Sequence, residues 1–139
     1  MDELKERIKK HEGFVNKIYK DSLGKATIGY GHLVLENEQW EDGKEYSEEE
    51  LSYVFDNDFK NASDLAFNLI GDIVMKQTSR EIIIEMCFQL GYRVSKFKRM
   101  WEALKVGDYI NASKEMLDSN WHKQTPKRCE YLANIMKEI

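Results

Sequence analysis

Two carboxylates near the N-terminus, Glu12 and Asp21, stand in settings that would give them different chemistry. Leu4, Ile8 and the following Phe14 give the first segment a helical apolar stripe, and Gly13 falls where a helix closes on a residue free to take positive φ, so Glu12 is expected at a helix C-terminus. Asp21 opens the turn-like run Asp21-Ser22-Leu23-Gly24. Cleaving a glycosidic bond through an oxocarbenium-like transition state needs just such a pair: a carboxylic acid to protonate the leaving oxygen, and a carboxylate to stabilise charge or activate water. Beside the apolar Phe14, Glu12 is expected to be partly desolvated, which raises its pKa above the ~4.3 of a free glutamate; Asp21 in an open turn should stay ionised. Taken alone, however, helix-end glutamates and turn aspartates usually serve local capping and solvation.

The residues between them supply the context. From Glu12 to His32 the chain reads Glu12-Gly13, five residues, Tyr19, one residue, Asp21, two residues, Gly24, two residues, Thr27-Ile28-Gly29, one residue, Gly31-His32. These ten residue types across 21 positions resemble the phage lysozyme family, and the likeness continues patchily to Arg128. The resemblance implies a peptidoglycan hydrolase that cuts the β-1,4 bond between N-acetylmuramic acid and N-acetylglucosamine with inversion. Glu12 would be the acid and Asp21 the base, with Thr27 helping to position the attacking water. Inversion in turn requires carboxyl groups about 6.5–9.5 Å apart. The resemblance also aligns Asp58 with a carboxylate that pairs structurally with His32, which should then be charged.

Leu33, Phe88 and Gln89 are the candidate sugar contacts, since apolar and aromatic groups support a sugar face while an amide fixes its hydroxyls or N-acetyl group. Core packing is an equal reading for Phe88, and Trp121 reads as core. Two further positions aligned with substrate contacts carry Met100 and Glu115 where the family has small or neutral polar residues. Gly29 and Gly31, flanking Tyr30, suit a strand backbone that passes close to a sugar, an unusual dihedral or simple strand bending.

The elements that must hold these groups follow from patterning. Short runs around Ile18-Tyr19 and Thr27-Ile28, broken by glycines, predict a small antiparallel sheet. Ser47 followed by Glu50 forms a capping box before a helical pattern that runs to about Leu69. Residues 79–90 are apolar almost all round, as suits a helix buried in a bundle and closed by Gly91. Ser95, Asp108 and Thr125-Pro126 read as later helix starts. The fold class expected is α+β and lysozyme-like: one domain over residues 1–139, with a small lobe of about 12–58 and a helical lobe of about 59–139 that also takes in the first helix. A long helix joins the lobes, with a cleft between them.

Composition narrows the class. The chain has 139 residues, 42% of them hydrophobic and 33% charged, enough for a proper core and without the ~18 unbroken apolar residues of a membrane span. Residues 36–72 hold twelve acids against Lys44 and Lys60, whereas residues 93–128 hold nine Lys and Arg against four acids. A basic lobe could be drawn to an anionic polymer, although a solvated helix face is the commoner meaning of such a run, and no nucleic-acid motif accompanies it. Cys87 and Cys129, in helix-like apolar surroundings, read as buried free thiols. No cofactor or metal is expected.

The charged N-terminus has no signal-peptide core, so the protein is expected in the host bacterial cytoplasm until the membrane is permeabilised. The family resemblance adds a holin-type membrane protein as partner, and a monomer is expected. Two rival readings are a lytic transglycosylase and a non-catalytic wall-binding or virion protein with the same fold. The Glu12, Asp21 and Thr27 set argues against both.

Overall fold

The computed structural model describes all 139 residues, Met1–Ile139, which form two compact units, Met1–Asn61 and Ala62–Ile139. The first begins with α1 (Asp2–Glu12), which carries acids in its first turn and Lys9, Lys10 and His11 in its last, both favourable to the helix dipole. Gly13 ends it at φ 76° and donates its N–H to Lys9 O at 2.9 Å. Three antiparallel strands follow in the order β1-β2-β3: β1 (Val15–Lys20), β2 (Ala26–Gly29) and β3 (His32–Leu33).

So small a sheet cannot stand alone. Its support is an apolar cluster of Leu4 and Ile8 from α1, Ile28 from β2, Tyr30, and Leu51, Phe55 and Phe59 from α2 (Glu48–Ile70). Rings run through that cluster, with Phe14 to Tyr30 at 4.9 Å, Tyr30 to Phe55 at 5.5 Å and Phe55 to Phe59 at 6.2 Å. The expected capping box starts α2: Ser47 Oγ accepts from Glu50 N at 3.1 Å and donates to the Glu50 carboxylate at 3.2 Å.

The first helix was expected with the helical lobe, but α1 belongs to the first unit. There Leu4 and Ile8 are buried with the sheet, and the lysines of α1 add contacts to the rings: Lys9 Nζ sits 5.2 Å from the Tyr30 ring and 5.0 Å from Phe55, and Lys5 Nζ 5.2 Å from Phe59. A pattern of apolar residues alone does not register these contacts.

The boundary between the units falls within α2. The second unit continues with α3 (Gln77–Leu90), a 3-10 turn over Gly91–Lys96, α4 (Lys98–Lys105), α5 (Tyr109–Leu117), α6 (Asn120–Gln124) and α7 (Pro126–Lys137). As expected, α3 is buried nearly all round and ends at Gly91, φ 62°. Met100 and Leu104 of α4, Met116 of α5, and Leu132 and Met136 of α7 are also fully buried.

Asp108 caps α5, accepting from Asn111 N at 3.0 Å, and Pro126 begins α7. Ser95 does not cap α4. After Gly91 the chain keeps to a tight 3-10 turn in which Ser95 Oγ donates back to Tyr92 O at 2.7 Å, and Phe97 holds the N-cap position. Both cysteines are free and buried, and burial pushes each thiol up to about 12, as expected of inert core groups. No helix is long and apolar enough to cross a membrane.

Candidate active site

The polar groups of the first unit converge around the sheet. Glu12, half-buried at the last residue of α1, lies against the backbone of Gly31: a Cβ built on Gly31 would collide with Glu12 Oε1 and stand 3.1 Å from its Cδ. Gly31 also has φ 73°, a dihedral that favours glycine, and any Cβ there would push the Glu12 carboxylate aside. Of the readings open for this residue, the structure realises the unusual dihedral, and the group that comes close to its backbone is a carboxylate of the same chain.

Asp21 is held by its own turn. Its Oδ1 accepts from Leu23 N at 2.9 Å and Lys25 N at 2.8 Å, while its backbone N–H donates to Lys25 O and its carbonyl accepts from Gly24 N, both at 2.9 Å. Such an Asx turn fixes one carboxylate oxygen and leaves the other, Oδ2, outside these bonds. Thr27 is 4% exposed on β2, and its hydroxyl donates to Lys25 O at 2.9 Å, which leaves oxygen lone pairs to accept from another group.

Tyr19, present in the sequence pattern without a role, joins these residues. It pairs across the sheet with Thr27. Its phenol is raised above the usual tyrosine value by burial first, then by the negative fields of Glu12 and Asp21. The signal for this was in the sequence: Tyr19 stands only two residues before Asp21, at the end of β1.

His32, on β3, sits between two carboxylates. Its Nδ1 donates to Asp58 Oδ2 at 2.7 Å, the pairing anticipated above, and its Nε2 donates to Glu38 Oε2 at 2.9 Å. With both ring nitrogens facing acceptors the imidazolium is favoured. The hydrogen bond it donates to Asp58 chiefly raises its pKa to about 9, helped by Glu38 and opposed by burial. Burial also works to raise Glu38, but the Leu35 N–H, His32 and the Trp40 indole outweigh it and leave Glu38 below its ordinary value. Glu38 was missed because it reaches back from a loop with no periodic pattern.

Leu33 is 45% exposed on β3. In the second unit, Phe88 and Gln89 are half-buried on α3. The Gln89 amide is fixed at both ends, donating to Thr125 Oγ1 at 3.0 Å and accepting from Trp121 Nε1 at 2.9 Å. Trp121 is buried, as expected of a core residue. A cavity of about 530 Å³ opens beside it; Met100 and Glu115 line this cavity together with Phe97 and Gln124, and Arg93, Lys96, Lys98 and Arg99 contribute positive charge. Glu85, fully buried on α3, accepts from Arg128 Nε at 3.0 Å, which neutralises it inside the bundle.

The α+β fold, a small antiparallel sheet with seven helices, is of the lysozyme kind. The chain belongs to the phage lysozyme family, which it matches over residues 9–135. It is 25% identical to the probable T4-type lysozyme 2 of Dictyostelium discoideum over 158 residues, covering 96% of this chain and 93% of that protein. An endolysin of Acyrthosiphon pisum secondary endosymbiont phage 1 is 27% identical over 87% of this chain and 80% of its own length. The pre-baseplate central spike protein Gp5 of Enterobacteria phage T4 is 28% identical over 96% of this chain but only 27% of its own. The protein is thus a lysozyme-class glycoside hydrolase acting on peptidoglycan.

Proposed function

We propose that the protein cleaves the β-1,4 bond between N-acetylmuramic acid and N-acetylglucosamine with inversion, with Glu12 as the acid, Asp21 as the base and Thr27 as a ligand of the attacking water. The observation that carries this reading is the placement of the two carboxyls on one small unit in unlike settings. Glu12 lies against the Gly31 backbone at a helix end, while Asp21 is anchored by two backbone N–H groups in an open turn.

Glu12 protonates the glycosidic oxygen as the bond to the anomeric carbon breaks. Water attacks that carbon from the opposite face and gives its proton to Asp21. The sugar contact proposed on the first unit is Leu33; those proposed on the second are Phe88 and Gln89, the latter with an amide already oriented by Thr125 and Trp121. The His32 pair with Asp58 is structural. The direct test is the anomeric configuration of the fresh product followed by NMR: inversion is expected, and retention or a trapped glycosyl-enzyme would sink the mechanism.

In its biology, we propose a monomer that stays in the host cytoplasm and reaches the wall once a holin-type membrane protein opens the way. Expression in the bacterial cytoplasm should leave cells intact until the membrane is permeabilised from outside. Lysis without permeabilisation contradicts this.

A further inference from the structure

We propose that Tyr19 is a third ligand of the attacking water, its hydroxyl donating to that water while Asp21 and Thr27 accept the water's two protons. This inference rests on the mechanism proposed above and adds the group that fixes the direction of attack.

Counting hydrogen-bonding positions leads to it. Asp21 Oδ1 is occupied by Leu23 N and Lys25 N, so a water binding Asp21 does so at Oδ2 and must donate. The Thr27 hydroxyl has given its proton to Lys25 O, so towards a water it can only accept. A water held by these two groups has both protons committed and two lone pairs left. One must point at the anomeric carbon; the other needs a donor, without which the water is free to swing about the axis through its two acceptors.

Tyr19 is the donor at hand. It lies directly across the sheet from Thr27, on the same face, and close enough to Asp21, just past the end of β1, to feel its charge. Its hydroxyl is bonded to no protein group. The fields of Glu12 and Asp21, together with burial, keep the phenol protonated, so near neutral pH it has a proton to offer. During attack the water oxygen bonds to the anomeric carbon, the glycosidic electron pair leaves with its oxygen and takes the Glu12 proton, and the water's proton passes to Asp21. Tyr19 keeps its own proton throughout.

The test is Tyr19→Phe, which removes one hydroxyl and keeps the ring. Activity is compared per folded molecule, at a temperature below both unfolding transitions, on soluble peptidoglycan fragments. We expect kcat to fall about tenfold to a hundredfold with KM within about twofold of wild type, since orientation of the nucleophile is a transition-state effect. Combined with Thr27→Ala, the loss should be smaller than the product of the two single losses, because both groups act on one water. A kcat within about twofold of wild type, a loss seen in KM alone, or single losses that multiply would each overturn the proposal. If Glu12→Gln and Asp21→Asn are inactive while Tyr19→Phe is unimpaired, only the role of Tyr19 falls. Should those two variants stay active, the mechanism beneath it falls as well.

Discussion

The two units solve different problems with different materials. In the first, a sheet of three short strands presents Asp21, Thr27 and His32, fixed by turn hydrogen bonds, ion pairs and the bare backbone of Gly31. In the second, α3 is enclosed by apolar side chains, and its one buried acid, Glu85, is matched by Arg128. The site residues of the first unit are therefore positioned by polar contacts above their own apolar cluster, whereas α3 in the second is held chiefly by buried area. Substitutions in the first should cost activity beyond their cost in stability, and core substitutions in the second should do the reverse.

The largest effect sharpening this contrast is expected at Asp21. Asp21→Ala removes the proposed base together with the acceptor of two backbone N–H groups, and turnover should fall about 10²–10⁴-fold. Loss of the turn bonds adds about 1–3 kcal/mol of destabilisation. Steady-state rates and a denaturant titration separate the two terms.

Ile83→Ala works from the other side. Ile83 is fully buried on α3, and its truncation should cost about 2–5 kcal/mol while turnover per folded molecule stays near wild type. A large loss of turnover in the folded variant would break the division of labour drawn here.

Gly31→Ala tests the close approach. The positive φ alone should cost about 1–3 kcal/mol. The new Cβ also displaces the Glu12 carboxylate, and a shift of about 1 Å at an acting group can lower the rate 10²-fold. Wild-type turnover in the folded variant would show that the position of Glu12 against Gly31 does not matter.

The smallest effect is the one most dependent on pH. Because the folded state raises His32 from 6.5 to about 9, the stabilisation from its carboxylates is fully present below about 6.5 and is lost as pH rises through about 9. Asp58→Asn should therefore cost about 1–2 kcal/mol near pH 6 and little above pH 9.5, with Glu38 retaining part of the pairing. Chemical denaturation across that range gives the curve, and a loss independent of pH contradicts the assignment.

What could be read from the sequence follows the range of the forces involved. The capping box at Ser47, the cap at Asp108 and the glycine ends at Gly13 and Gly91 depend on neighbours within four residues, and all appear as expected. The pair of His32 with Asp58 spans 26 residues and was legible only through the family pattern. Glu38 closing on His32, the lysines of α1 lying over the rings of Tyr30, Phe55 and Phe59, and the Glu12 carboxylate meeting Gly31 are tertiary contacts that no local rule encodes. Ser95 misled because a serine after a helix end serves a tight turn as readily as a cap, and the choice depended on the turn set by Gly91.

The central claim is that the chemistry rests on the acid at the end of α1. Its most direct test is the release of reducing ends from permeabilised Gram-negative cell walls by wild type and by Glu12→Gln, with matched unfolding curves. The account expects release by the wild type and its near-complete loss in the folded variant. Equal release by the two proteins would contradict it.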